Sequence, residues 1–174
     1  MQINLSQKER MLLEDQKSHE ELCIEKYTKY ANQTQCSQLK QIFTSNAQSE
    51  RTHLDSINQL LNGTVPQMNQ QQSQQGSSQS MGSQSSQSSS QSMGSQASSS
   101  MSSSQSGGVN LSDKDMCTDL LMTEKYVSGT YNTSIFEFRD TSVRDVLNHI
   151  QKEEQKHGEA IFQYMESKGM YNVQ

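Results

Sequence analysis

Apolar residues recur at alternating steps of three and four in two stretches of this chain, and the stretch between them has no such period. Those steps mark one face of an amphipathic helix. In the first stretch the face reads Leu13, Gln16, Glu20, Cys23, Tyr27 and Tyr30; after a polar break at Asn32–Ser37 it resumes as Leu39, Phe43, Asn46, Glu50, His53, Ile57 and Leu60. In the second it reads Cys117, Leu120, Glu124, Val127, Tyr131, Ser134 and Phe138, then, past Arg139–Ser142, Val143, Leu147, Ile150, Glu154, His157, Ile161 and Tyr164. Ser6 with Glu9, and Ser112 with Asp115, have the spacing of a capping box. Gly63 and Gly169 stand where helix C-terminal glycines belong. These edges predict helices over about 6–32, 36–61, 112–138 and 142–167. Alternating strand patterns are absent, so the class is all-α. Residues 1–61 and 111–174 each read as a helical hairpin too short to be comfortable alone. The two are therefore expected to pack on each other as one four-helix bundle.

The seams are apolar or aromatic toward the helix ends and polar in the middle. Each carries a central carboxylate, and in the second and fourth helices a histidine follows three residues later. The halves align without a gap at a shift of 104, which places Glu20 on Glu124, Tyr27 on Tyr131, Glu50 on Glu154 and His53 on His157. Overall identity at this shift is near chance; the agreement lies in the polar seam residues. A shift of 106 instead aligns Asn4–Ser6 with Asn110–Ser112 and Gly63 with Gly169.

Glu20 and Glu50 both lie roughly 20 Å from the turn between their helices, at about 1.5 Å per residue, and Glu124 and Glu154 repeat the arrangement. Four carboxylates and two imidazoles then meet at one level of the bundle. Buried without compensation, the carboxylates would protonate or require cations. One Glu from each of two helices plus Glu-x-x-His from each of the other two is the carboxylate-bridged dimetal arrangement of such bundles. The donors suit two Fe or Mn ions. The other reading of the same six residues, Glu20, Glu50, His53, Glu124, Glu154 and His157, is a polar layer that only hydrogen-bonds across the core. Tyr27 and Tyr131 lie two turns from Glu20 and Glu124, placed either to hydrogen-bond a ligand carboxylate or to pack as plain aromatics. Cys23 reads as a small buried hydrophobe. His19, His149, Glu137 and Glu153 read as surface residues.

The middle stretch, residues 62–110, is nearly all Ser, Gln, Gly and Met, with one proline (Pro66) and no charge. It offers almost no apolar surface to offset the entropy of ordering, so a disordered linker is expected. A coil of that length spans on the order of 35–40 Å, about the length of a 26-residue helix. It can return along the bundle so that the third helix runs parallel to the second. Within it Gln79–Gln84 and Gln91–Gln96 repeat the same six residues, read as low-complexity expansion. The net charge of −5, with no basic cluster, argues against nucleic acid. No apolar run reaches a membrane span, and no secretory leader is read at the N-terminus. Three cysteines without C-x-x-C spacing fit a reducing compartment and build no zinc or rubredoxin-like site.

Residues 111–171 resemble the spore coat protein F family of endospore-forming bacteria, through Leu111–Asp115, Asp119-Leu120-Leu121, Lys125-Tyr126, Tyr131-Asn132-Thr133, Glu153-Glu154-Gln155, Ile161-Phe162 and Lys168–Tyr171. The first half, with Glu20, Tyr27-Thr28, Tyr30-Ala31 and Glu50-x-x-His53, resembles the first helix pair of rubrerythrins and other ferritin-like proteins. The resemblance implies a ferritin-like bundle, the six ligands named above, a place in the spore coat after synthesis in the mother-cell cytoplasm, and other coat proteins or a second copy of the chain as partners. It implies a structural, dimetal-binding coat component. The alternative is a cytoplasmic di-iron or manganese oxidoreductase or ferroxidase; the missing rubredoxin cysteines set it apart from rubrerythrin-style electron transfer.

Overall fold

The computed structural model describes residues 2–67 and 111–172. They form four helices: α1 (Gln7–Gln33), α2 (Ser37–Leu61), α3 (Asp113–Glu137) and α4 (Thr141–Ser167). The boundaries agree with the expected ones to within about one residue because the sequence writes the ends explicitly. Ser6 accepts from the Glu9 amide while the Glu9 carboxylate takes the Ser6 amide, and Ser112 and Asp115 do the same for α3. Asp140 caps α4 by accepting from the Ser142 amide at 2.8 Å. Gly63 (φ 81°) and Gly169 (φ 65°) are left-handed. Around them the Gly63 and Thr64 amides return to the Leu60 and Gln59 carbonyls, and the Gly169 and Met170 amides to Glu166 and Met165. That is the double hydrogen bond of a Schellman ending, built twice.

The two hairpins form one compact unit. Around the bundle the order is α1, α2, α4, α3, with α1 touching α3 and α2 touching α4 between hairpins. Gln16 meets Ser134 while Thr34 meets Asp113, so α1 and α3 are antiparallel. Being antiparallel to α1 as well, α2 runs parallel to α3, as the long connection allows. The chain leaves α2 where α1 begins and enters α3 at the opposite end.

Every seam residue read from the sequence is buried, from Leu13 through Tyr164. Burial of the apolar ones, each contributing on the order of 1.5–3 kcal/mol before chain entropy, is what holds the four helices together. The linker expected over 62–110 lies outside the described residues except for its first six, and Gly63, Thr64 and Pro66 among these are held against the bundle. Thr64 forms an antiparallel bridge with Gln2, the Ile3 amide donates to the Gly63 carbonyl at 2.9 Å, and Pro66 is buried. Apart from that bridge the described residues contain no strand, and no helix is long and apolar enough to cross a membrane.

Glu9 does more than cap α1. Its Oε1 accepts the Arg139 amide at 2.9 Å, tying the start of α1 to the turn between α3 and α4. Burial alone would raise its pKa, but the Arg139 and Ser6 amides hold it down to about 2. A depressed carboxylate contributes stability that is present above its unfolded value and lost as pH falls through the folded one. The bundle should lose on the order of 1–3 kcal/mol between about pH 4.5 and 2 from this group, after allowance for solvent screening. Glu9→Gln should flatten that limb of a pH series of urea midpoints; an unchanged limb contradicts the assignment.

Candidate metal centre

Glu20, Glu50, Glu124 and Glu154 come from the middles of α1, α2, α3 and α4, and all are at most 2% exposed. His53 and His157 sit one turn after Glu50 and Glu154, on the same helix face. The six residues converge as two overlapping groups. Glu20, Glu50, His53 and Glu154 form one; Glu50, Glu124, Glu154 and His157 form the other, and in each the potential ligand atoms lie within 4.8 Å of one another. Glu50 and Glu154 belong to both. Glu20 with His53, and Glu124 with His157, each belong to one. The sequence repeat is thus an approximate twofold relation between two half-sites.

Both imidazoles turn Nδ1 toward the carboxylates. His157 Nδ1 lies 3.0 Å from Glu50 Oε1 and 3.6 Å from Glu154 Oε2. His53 Nδ1 lies 3.0 Å from Glu154 Oε1, 3.3 Å from Glu50 Oε2 and 3.6 Å from Glu20 Oε2. The rings face each other, 5.6 Å apart and 25° from parallel. Even so, Glu20 Oε2, Glu124 Oε2 and both Glu154 oxygens have no hydrogen-bond partner. Glu154 Oε1 is near His53 Nδ1 but not aligned with it for a bond. Four orphaned carboxylate oxygens in one core are far more than a fold tolerates without a reason.

Protons compensate the cluster when no cation does. Burial, with the charges of Glu154 and Glu50, pushes Glu20 well above the usual carboxylate range, and burial beside Glu154 does the same to Glu124. Burial would raise Glu50 and Glu154 too, but the flanking His157 and His53 hold both below that range. Burial would lower the histidines; against it, Glu154, Glu20 and Glu50 raise His53 strongly, and Glu154 and Glu50 raise His157 to about 9. Two neutral carboxyls, two carboxylates and two imidazolium ions sum to zero charge. Two divalent cations with four carboxylates and two neutral imidazoles also sum to zero, so the residues present fit such a pair.

Tyr27 and Tyr131 cross between hairpins. Tyr27 donates its hydroxyl proton to Glu124 Oε1, and Tyr131 donates to Glu20 Oε1. Each thus orients the single-site Glu of the other half, a partner that spacing within one helix cannot reveal. The symmetry breaks at Asn46, whose Nδ2 donates to the Tyr27 hydroxyl at 3.1 Å; Ile150 holds the matching place in the repeat. Tyr27→Phe leaves two buried groups unpaired and Tyr131→Phe one. Urea unfolding of the metal-free variants should therefore show a loss of about 1–3 kcal/mol for Tyr27→Phe and a smaller one for Tyr131→Phe; equal losses would contradict the role given to Asn46.

A neighbouring polar layer joins Gln16, 1% exposed, to Ser134 (2.9 Å) and Thr130 (3.1 Å). His19 is half-buried rather than on the surface: it lies 3.4 Å from Thr130 Oγ1 and edge-on to Tyr126 at 5.4 Å. Glu153 is also half-buried, paired with Lys156 at 2.6 Å. Glu137 is exposed and paired with Lys8, and His149 is exposed. Cys23 is fully buried, its thiol pushed up by burial and by the surrounding carboxylates.

Residues 112–174, the α3–α4 hairpin with its flanks, match the family model of the Coat F domain. Over 64 residues the chain is 33% identical to a Bacillus subtilis (strain 168) protein named "Uncharacterized protein YusN", a stretch covering 37% of this chain and 58% of that relative. The chain thus spans under two thirds of the length of the curated relative it matches. No solved structure matches the chain. The Coat F match contains Glu124, Glu154 and His157, while Glu20, Glu50 and His53 lie outside it.

Proposed function

We propose that this chain is a spore coat protein whose four-helix bundle holds a pair of divalent iron or manganese ions. The observation that carries the metal reading is the sharing of Glu50 and Glu154 by both ligand groups, with four carboxylate oxygens left unpartnered. The Coat F match over the second hairpin supports the setting. Glu50 and Glu154, common to both ligand groups, would hold either ion, with Glu20 and His53 completing one set and Glu124 and His157 the other. Nitrogen and oxygen donors without thiolate favour Fe or Mn over softer metals. Bound there, such ions supply Lewis-acid and redox chemistry toward oxygen or peroxide. The protein's own part is to hold the ligands in a dry core, with Tyr27 and Tyr131 fixing the orientation of Glu124 and Glu20.

Two measurements test this reading. Elemental analysis of the full chain purified from iron- or manganese-supplemented cells should give about two metal ions per chain, in line with the two bridged ligand groups. Fractionation of a sporulating culture should place the chain in the insoluble coat and not in vegetative cells. Metal-free protein that takes up none on titration contradicts the first part, and abundant vegetative protein contradicts the second.

A further inference from the structure

Exposed large apolar side chains are unevenly placed on the bundle. Met11, Leu22, Met122, Tyr126 and Phe136 are 45–82% exposed and all lie on α1 or α3; α2 and α4, together as long, carry none among the described residues. Apolar surface residues scattered singly need no explanation, but a cluster on one face does. Contacts between α1 and α3 fix their levels. Lys26 Nζ reaches Asp119 and Thr123, each at 3.0 Å, His19 lies edge-on to Tyr126 at 5.4 Å, and Lys8 pairs with Glu137. Leu22 comes three residues after His19 and four before Lys26, so it shares their face at the level of Tyr126 and Met122. Met122 is one turn from Tyr126, and Met11 one turn from Lys8. Met11, Leu22, Met122 and Tyr126 therefore share the outer α1–α3 face. Its charges are ordered too. Asp15 stands seven residues before Leu22 and Lys29 seven after it, two turns either way on one stripe. Both are exposed, and among the described residues neither has an ion-pair partner. On α3, Gly129 is exposed, with no atom within 4 Å of where a Cβ would stand.

We propose that this face is the interface of a symmetric dimer of the chain, in which α1 and α3 each lie antiparallel to their own counterpart about a twofold axis crossing at Leu22 and Tyr126. The charge order selects a second copy over an unrelated partner. A twofold axis at Leu22 reverses the stripe, so Asp15 meets Lys29 of the second copy and Lys29 meets its Asp15: one contact made twice, as an isologous interface requires. Leu22 meets its own counterpart at the axis. On α3 the same reversal sets Met122 over the open space at Gly129 of the second copy. The like charges Asp115 and Glu137 approach only at the rim, and each is already engaged, by Ser112 and Lys8. The area suffices as well. Overlap from Met11 to Gln33 of the second copy is a strip about 35 Å long and two helices wide, about 700 Å² per copy, close to the roughly 800 Å² of a standard interface. None of the six candidate metal ligands takes part, so the dimer and the metal reading fail independently.

Sedimentation of the full chain, reduced and metal-free, should give twice the 19.6 kDa mass at micromolar concentration. Asp15→Lys brings two lysines together at both ends of the interface and should raise the dissociation constant at least about tenfold. Lys29→Asp should do the same with two aspartates. The double exchange, Asp15→Lys with Lys29→Asp, restores both pairs and should return the dissociation constant to within about threefold of its starting value. That reversal is specific to this register. Tyr126→Glu should leave a monomer of unchanged helicity. Leu22→Cys, whose counterparts meet at the axis, should form an interchain disulfide on mild oxidation that leaves the unmodified chain unlinked, and Lys29→Cys should not. A chain that stays monomeric at every accessible concentration overturns the proposal, whatever else covers the face. So does a dimer that survives Tyr126→Glu, or one in which the double exchange is no better than either single change.

Discussion

Loading the metal-free protein with ferrous or manganous ion should raise its melting temperature by about 10–20 °C. A ligand at a thousand times its dissociation constant stabilises by about 4 kcal/mol, and a bundle of this size gains about 3–5 °C for each. The dependence on individual ligands is sharper than the total. Glu50 and Glu154 belong to both ligand groups, so Glu50→Ala or Glu154→Ala should abolish nearly all of the shift. Glu20→Ala or Glu124→Ala should leave one ion and roughly half of it. Calorimetry with and without metal reads both. The metal-free variants separate a metal centre from a hydrogen-bonded polar layer. Glu20 carries an orphaned oxygen, and its pKa is raised because its charge is unwelcome there. Glu20→Gln should then leave the metal-free bundle as stable or slightly more so, within about 1 kcal/mol. A polar layer predicts the reverse: a clear loss for Glu20→Gln and no response to metal.

Phe43→Ala should destabilise the bundle by about 3–5 kcal/mol, the usual cost of a buried aromatic that leaves a cavity. Phe43 is fully buried on α2, its ring 5.9 Å from that of Tyr27 and 6.4 Å from that of Tyr30. It buttresses the tyrosine that orients Glu124, so the cavity should also weaken metal retention, although Phe43 is no ligand. Urea midpoints give the stability, and metal release during dialysis gives the retention. A loss under about 1.5 kcal/mol would mean that the bundle end repacks as readily as a loosely filled core.

The seam pattern carried most of the fold. Each helix has one buried face and explicit ends, and both are local properties that a sequence spells out: a capping serine, a left-handed glycine, an apolar step of three or four. The convergence of Glu20, Glu50, His53, Glu124, Glu154 and His157 was legible for the same reason, since rise per residue fixes their height along the bundle. What escaped were pairings between helices. Glu9 reads as a capping residue, yet its second oxygen takes the Arg139 amide from the other hairpin. Tyr27 reads as a neighbour of Glu20, yet it bonds Glu124, because the hairpins meet antiparallel along α1 and α3. His19 reads as exposed until Thr130 and Tyr126 are set against it. The anchoring of Thr64 to Gln2 joins residues far apart in sequence, so composition alone placed it in the linker.

Anomalous diffraction at the iron or manganese edge, from crystals of the metal-loaded full chain, tests the central claim most directly. The account predicts two peaks within the bundle about 3.5–4 Å apart, the spacing of a bridged pair. Glu50 and Glu154 should lie between them, with Glu20 and His53 at one ion and Glu124 and His157 at the other. Loaded crystals with no peak inside the bundle, or with metal only at its surface, would contradict it.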